Sequence, residues 1–191
     1  SNNVFAGGMK GDLKFRDNAE FTKNAILNGS ENPNYQGQGY FGLSYYVYSS
    51  NNTSMDFTKN LFSGNSSGTY LEQSSSSNGQ QYITTNLNNM INNTGFKVKA
   101  GNQNSSMENN WWGTTTESEI QDIIYDWNDA SNLGFIDYDP YLTAPSTLAP
   151  VSPPKNVRKS PHASGIKIFW DANPEADVSG YKIYYGTYNG Y

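Results

Sequence analysis

The chain has 191 residues, of which 35% are hydrophobic, 15% aromatic and 15% charged, and its formal net charge at pH 7 is −5. An acidic chain without a cluster of Lys and Arg is poorly suited to nucleic acid, and no apolar run approaches the roughly 20 residues of a membrane span. The lack of Cys excludes disulfides and thiolate metal sites, and it is compatible with export.

The first 110 residues contain short strand-like segments with no helical period. A short unit of one apolar residue, two polar residues and Asn recurs at residues 21–24, 57–60, 83–86 and 107–110. In a stack of β-coils the apolar residue faces inward. The Asn lies at a bend, where it tolerates left-handed backbone and hydrogen-bonds the Asn above and below. The repeat therefore predicts coils that stack about 4.8 Å apart.

Two polar stretches, at residues 28–39 and 73–81, are predicted to be loops that leave this stack. Between them, residues 40–48 form a strongly β-prone aromatic run, and alternation along a strand places half of its side chains toward solvent or a partner. Exposed aromatic faces offer a large contact area at a low entropy cost. The candidates for contact with carbohydrate or protein are Tyr35, Tyr40, Tyr45, Tyr46 and Tyr48.

An amphipathic helix is predicted from about residue 116 to 128. Thr116 and Glu119 have the spacing of a capping box, and an apolar stripe follows at Ile120, Ile123, Ile124 and Trp127. A stack must cover its last coil, because an open strand edge pairs with other chains. The helix and the extended segment 135–142 are predicted to form this cover.

Two tryptophans precede the helix, and adjacent residues of a strand point to opposite faces. One of them is therefore expected to fill the core and the other to pack under the helix. The predicted structural cap consists of Trp111, Trp112, Ile120, Ile124 and Trp127.

Residues 143–154 contain four of the chain's eight Pro, which predicts a semi-rigid linker. Three strand-like segments follow, at residues 156–159, 165–170 and 180–186, as at the start of a β-sandwich. The sequence stops at Tyr191 inside a strand pattern. We therefore expect a fragment of a longer exported protein.

The segment from Asn109 to Thr115, with its Asn-Asn-Trp-Trp-Gly-Thr-Thr sequence, and the tail from Ile136 to Leu142 resemble the C-terminal end of right-handed parallel β-helix proteins of the pectate-lyase-like type. The resemblance is good over residues 105–143 and loose over the preceding coils. It implies an all-β fold in which residues 1–142 form the last coils of a parallel β-helix capped by a short α-helix.

The segment 155–191 is similar to the first half of a fibronectin type III domain. Trp170 matches the core Trp of that domain's second strand, and Tyr181 matches the aromatic residue of its third strand. The resemblance implies an incomplete β-sandwich. The combination of a β-helix with a fibronectin type III domain resembles exported or cell-surface bacterial proteins.

Two functional classes fit these features. One is a non-catalytic extracellular or cell-surface scaffold that contacts glycans or proteins, including its own copies, through a β-helix face. The other is the C-terminal part of a secreted polysaccharide lyase or glycoside hydrolase whose active groove lies on upstream coils. Because carboxylates are sparse in the stack, no catalytic residue is assigned and the scaffold is preferred.

The densest group of oxygen ligands is Asp126, Asp129, Asp137 and Asp139, and these residues are the weak candidates for calcium. The Asp-rich loop of a standard calcium site is absent from the sequence. Capping of the helix end and hydrogen bonds within the tail are the preferred roles, so no cofactor is assigned.

Overall fold

A computed structural model describes residues 1–6, 19–29, 43–47, 53–66, 70–75 and 81–186. Within this part the chain is mostly β-strand with one short helix, so the β-rich class predicted from the sequence is confirmed. In chain order the elements are β1 Val4–Ala6, β2 Ala19–Thr22, β3 Ala25–Leu27, β4 Leu43–Val47, β5 Thr53–Thr58, β6 Leu61–Ser63, β7 Tyr70–Ser75, β8 Gln81–Thr84, β9 Asn89–Ile91, β10 Lys97–Lys99, β11 Ser105–Ser106, α1 Glu117–Ile123, β12 Ile124–Tyr125, β13 Ile136–Asp137, β14 Lys155–His162 and β15 Gly165–Asp171.

Strands β1 to β13 pair in parallel. The first sheet has the order β1-β3-β6-β9, the second β12-β10-β7-β4 and the third β2-β5-β8, and β11 pairs with β13. The chain passes from β3 through β4 to β5, and then from β6 through β7 to β8. Each pass thus visits the first, second and third sheet in turn and returns one strand further along.

A column of asparagines runs along one corner of these sheets, at residues 3, 24, 60, 88 and 110. The Oδ1 atom of Asn60 accepts hydrogen bonds from the backbone N (2.9 Å) and Nδ2 (3.3 Å) of Asn24. Asn88 accepts the same pair from Asn60, at 2.8 and 3.0 Å, and Asn110 accepts it from Asn88, at 3.0 and 2.9 Å. The side chains of Asn24, Asn60, Asn88 and Asn110 are fully buried, so this part of the column is internal.

The residue before each buried Asn, and not the Asn itself, has the left-handed backbone. The φ angles are 53° at Lys23, 59° at Lys59, 57° at Leu87 and 56° at Asn109. The left-handed residue turns the chain, and this turn directs the next side chain inward. The expectation of left-handed backbone at the Asn was therefore wrong by one residue.

The third repeat is displaced by two residues from the predicted 83–86. Asp56 of β5 pairs with Thr84 of β8, so Thr85 takes the inward position that Phe57 holds in the preceding pass. Asn88 then joins the column in place of Asn86. The inward residue of this repeat is the polar Thr85, so a pattern that requires an apolar residue there selects Ile83 as the start of the unit.

A second, shorter column of polar contacts marks another corner. The backbone N of Gly29 donates to Oδ1 of Asn65 at 2.9 Å, and the backbone N of Asn65 donates to Oδ1 of Asn93 at 3.0 Å. The residues before Asn65 and Asn93 are Gly64 and Asn92, with φ of 69° and 57°. Both corners of the stack therefore use the same device, a left-handed residue followed by a buried or half-buried Asn.

The interior between the sheets is apolar and partly built from stacked rings. Phe21 and Phe57 are nearly parallel, with ring centroids 5.1 Å apart and an interplanar angle of 4°. Phe62 continues this contact to Phe57 at 5.8 Å and to Phe96 at 5.2 Å. The core continues through Val98, Met107, Trp112, Ile120, Ile124 and Ile136.

The helix is shorter than expected, because it ends at Ile123 and Ile124 begins β12. Ile124 pairs with Val98 of β10, so strand pairing replaces the last helical turn. Thr116 is the N-cap residue, but its side chain makes no capping hydrogen bond, so the predicted capping box was wrong. Instead, the hydroxyl of Thr114 bonds to the carboxylate of Glu119.

The tail after the helix forms a further rung below the last Asn of the column. The backbone N of Met107 donates to the carbonyl of Asp137 at 2.6 Å, and the N of Leu142 donates to the carbonyl of Asn110 at 2.9 Å. Gly134 opens this rung, where a Cβ atom would lie 2.0 Å from the carbonyl oxygen of Gln103. A side chain at position 134 would therefore push the rung away from the stack.

The Pro-rich segment 143–154 is docked on the stack and does not act as a free spacer. Asn89 is fully buried, and its side chain donates to the carbonyl of Ser146 at 2.9 Å and accepts from the N of Ser146 at 2.8 Å. Further on, the carboxylate of the buried Glu175 accepts hydrogen bonds from the N (2.6 Å) and Oγ (3.0 Å) of Ser152. The expected linker thus joins both neighbouring parts of the chain.

The C-terminal segment contains the antiparallel pair β14 and β15. The third predicted strand, at residues 180–186, is wrong, because this stretch has no regular strand in the structure. A strand needs a neighbour to pair with its backbone, and Tyr184 and Tyr185 are largely exposed. Tyr181 instead packs edge-on against Trp170, with ring centroids 5.0 Å apart.

We expect Asn88→Ala to lower the free energy of unfolding by about 2–4 kcal/mol, because it leaves several buried donors and acceptors of the column without partners. The matched control is Asn86→Ala, which removes a half-exposed amide two residues away and should change stability by about 0.5 kcal/mol or less. Urea unfolding followed by circular dichroism measures both. Equal effects of the two variants would contradict the assignment of the column.

Candidate functional site

The tyrosines predicted as contact residues fall mostly where the structure gives no description. Tyr35, Tyr40 and Tyr48 lie outside the described residues. Of Tyr45 and Tyr46 only the strand position is described, in β4, opposite Gln73 and Ser74 of β7. Their proposed contact role stays a prediction.

The five residues of the predicted cap have different positions. Trp112 is buried in the main core with Ile120 and Ile124. Trp111 is half-buried and packs on a smaller cluster that contains Leu61 and Ile91. It therefore does not pack with the core that holds the helix residue Ile120.

Trp127 lies in neither core cluster and is exposed to 47%. It belongs to a run in which burial alternates, because Ile124 and Asp126 are buried whereas Tyr125 and Trp127 are exposed. Phe135, exposed to 43%, packs on Trp127 with ring centroids 4.9 Å apart and an interplanar angle of 31°. Tyr125, Trp127 and Phe135 are called the aromatic platform below.

Asp126 fixes the backbone under this platform. It is buried, and its Oδ1 accepts hydrogen bonds from the backbone N (2.9 Å) and Nδ2 (3.1 Å) of Asn128. Its Oδ2 accepts from the backbone N of Ile136 at 3.0 Å, and Oδ2 of Asp129 accepts from the backbone N of Asp126 at 3.0 Å. Asp126 therefore ties the end of β12 to the start of β13.

The four acidic calcium candidates do not converge. Both oxygens of Asp126 accept hydrogen bonds from the protein, and Asp137 and Asp139 are exposed residues of the tail. Within the described ranges, no group of three or more acidic or His side chains is arranged to hold a metal ion. The calcium assignment stays a prediction without support from the geometry.

A polar cleft of about 560 Å³ is lined by Phe135 of the platform, the residue that packs on Trp127, and it is called the platform cleft. Phe135 and Tyr138 contribute aromatic surface to it, and its polar lining comes from Ser118, Gln121, Asp122, Asp126, Asn128 and Asp129. These residues come from the helix, from the turn after β12 and from β13 and its flanks. The arrangement is suited to bind an uncharged ligand with hydroxyl groups, because aromatic faces and amide or carboxylate oxygens lie side by side.

A second cleft, of about 570 Å³, lies between the turn at residues 92–97 and the helix. Two of its charged side chains, Lys97 and Glu119, make contacts with the protein. The ammonium of Lys97 donates to the carbonyl of Asp122, and Glu119 bonds to Thr114. The contact of Lys97 holds the helix against the turn, so we assign the second cleft a structural role.

The platform cleft was not predicted from the sequence. Trp127 was assigned to the inward stripe of a helix, and Phe135 was assigned only to an extended piece. Hydropathy gives no local signal for this cleft, because Ile124, Tyr125 and Trp127 are all large and the one polar residue of the run, Asp126, is buried.

Comparison of the chain with known protein families, with curated proteins and with solved structures gives no match. No helix in the described part is long and apolar enough to cross a membrane. The function must therefore be argued from the fold and from the two clefts.

We expect Asp126→Ala to lower the free energy of unfolding by about 2–4 kcal/mol, because three donors lose their acceptor in a buried position. Hydrogen exchange at the backbone N–H of Ile136 should accelerate by more than in the rest of the stack. Asp137→Ala is the control, because this exposed carboxylate accepts one bond of 3.4 Å. An unchanged exchange rate at Ile136 in Asp126→Ala would contradict the role of Asp126.

Proposed function

We propose that residues 1–142 are the final coils of a right-handed parallel β-helix. The ordered visits to three parallel sheets support this fold, and so does the Asn column that links the successive passes. The right hand follows from the general preference of connections between parallel strands. In this fold, the rung at residues 135–142 and the helix α1 form the end of the stack.

For residues 155–191 we propose the first strands of a fibronectin type III-like sandwich. The antiparallel pair β14 and β15 and the contact of Trp170 with Tyr181 are consistent with this proposal. Val157 and Ile166 are exposed to 62% and 68%. Apolar side chains of this kind are what the second sheet of a sandwich would cover.

The function that the geometry supports best is that of a non-catalytic scaffold at the cell surface or outside the cell, which contacts glycans or surface proteins. The observation that carries this proposal is the continuous internal Asn column. Such a column links each rung to the next through hydrogen bonds, and its rigidity holds exposed side chains in a constant arrangement. Self-association of the chain through the same outer faces belongs to this proposal.

An enzyme remains the second candidate, as the C-terminal part of a polysaccharide lyase or glycoside hydrolase with its groove on upstream coils. The feature in its favour is the resemblance of residues 105–143 to the C-terminal end of pectate-lyase-like proteins. The structural engagement of Asp126 and Lys97 weighs against catalysis by the neighbouring charged groups. We therefore prefer the scaffold.

Two measurements on the whole chain test this proposal: binding to an array of neutral and acidic glycans, and sedimentation analysis. We expect the chain to bind at least one glycan class or to form defined oligomers. Incubation with the bound polysaccharide should release no reducing ends and no unsaturated products. Release of either product would favour the enzyme. A chain that binds no glycan or surface protein and stays monomeric would contradict the scaffold proposal.

A further inference from the structure

The aromatic platform is an exposed surface at the end of the stack. Trp127 and Phe135 leave close to half of their surfaces in water although a core that could bury them lies one residue away. An exposed aromatic pair that borders a polar cleft is a frequent feature of binding surfaces.

The platform is also preorganised. The backbone N of Trp127 donates to the carbonyl of Gly134 at 3.0 Å, and the backbone N of Phe135 donates to Oδ1 of Asn104 at 2.9 Å. The buried carboxylate of Asp126 braces the same two segments. Both rings thus stand on backbone that is already ordered, so ligand binding would cost little conformational entropy.

We propose that the platform and its cleft bind a neutral oligosaccharide. A pyranose ring packs its C–H face on Trp127 and Phe135, and its hydroxyls bond to Gln121, Asn128 and Asp129. The inference rests on the proposed glycan-contacting function and assigns its site to the end of the stack, in place of the tyrosines at residues 35–48.

Unused hydrogen-bonding capacity in the platform cleft supports this ligand class. Gln121 uses Nε2 toward Tyr138, Asn128 uses Nδ2 toward Asp126, and Asp129 uses Oδ2 toward a backbone N–H. Within the described residues, the remaining side-chain oxygen of each has no partner. Three free acceptors beside an aromatic face match the hydroxyl donors and the apolar face of a sugar ring.

The negative charge of the cleft limits the class of ligand further. Asp122, Asp126 and Asp129 line it, and no Lys or Arg is found among its described lining residues. A uronate, a phosphate or a sulfate would be repelled from these carboxylates. A second copy of this chain is disfavoured as the occupant of this cleft, since two copies that met there would bring the same acidic rims together.

The test is titration calorimetry of the whole chain with cellohexaose, xylohexaose and mannohexaose, with trigalacturonate as the acidic probe. We expect at least one neutral oligosaccharide to bind, and Trp127→Ala to weaken that binding by about tenfold or more, the loss expected for one aromatic contact. Trp127→Phe should keep part of the affinity. Trp170→Ala, which removes an indole from the C-terminal strand pair, should leave it unchanged.

A readout on the unaltered chain avoids dependence on the folding of the variants. The indole N–H signal of Trp127, assigned by its absence in Trp127→Phe, should shift when the bound oligosaccharide is added. A neutral oligosaccharide could bind without a shift of this signal and with the same affinity for Trp127→Ala as for the unaltered chain. This result would overturn the proposed site but would leave the scaffold proposal standing. Binding of trigalacturonate alone would overturn the ligand class, and binding of no probe would overturn the site.

Discussion

The burial of asparagine side chains is the constraint on which the rest of the stack depends. A buried amide offers two N–H donors and an oxygen acceptor, and leaving them unpaired costs about 1–3 kcal/mol each. Asn60 and Asn88 meet this demand through their neighbours one rung away and through the carbonyls of Phe21 and Phe57, each at 2.9 Å. The hydrogen-bonding groups of the column all find partners only when every rung is in register. The column therefore fixes the pairing of the strands that follow each buried Asn.

The column also explains how the stack ends. Asn110 has no following Asn. Its Nδ2 keeps the bond to the preceding rung, to the carbonyl of Thr85 at 2.8 Å, and donates to the carbonyl of Met107 at 2.7 Å in place of the next Asn. The rung after it therefore needs no Asn and pairs through its backbone, as Leu142 does with Asn110. This freedom allows the tail to carry Asp137, Tyr138 and Tyr141 in place of the repeat.

Parts of this architecture could be predicted from sequence because their signals are local. Phe21 and Phe57 stand in register as the repeat predicts, since each is apolar and each precedes its Asn by three residues. The third rung was missed because Thr85 fills the apolar position and Leu87 adopts a left-handed backbone that is rare for its type. The docking of Ser146 on Asn89 joins residues 57 apart and leaves no local pattern.

The helix end and the platform were missed for the same physical reason. Ile120, Ile123 and Ile124 satisfy a helical stripe, yet in the structure Ile124 pairs with Val98 in a parallel sheet and does not continue the helix. Because side chains alternate along an extended chain, an inward Ile124 places the side chain of Asp126, two residues later, inside as well. Hydropathy cannot predict a buried carboxylate, because its burial depends on donors from Asn128 and Ile136 that only the folded chain brings together.

The same alternation determines what the outer face presents. With Ile124 and Asp126 directed inward, Tyr125 and Trp127 must be directed outward, and Phe135 meets Trp127 from the adjoining rung. The exposed rings are thus a consequence of the way in which the stack is closed. A change that releases Asp126 would disturb both the closing rung and the platform, so stability at this end of the stack and binding on its surface are coupled through one carboxylate.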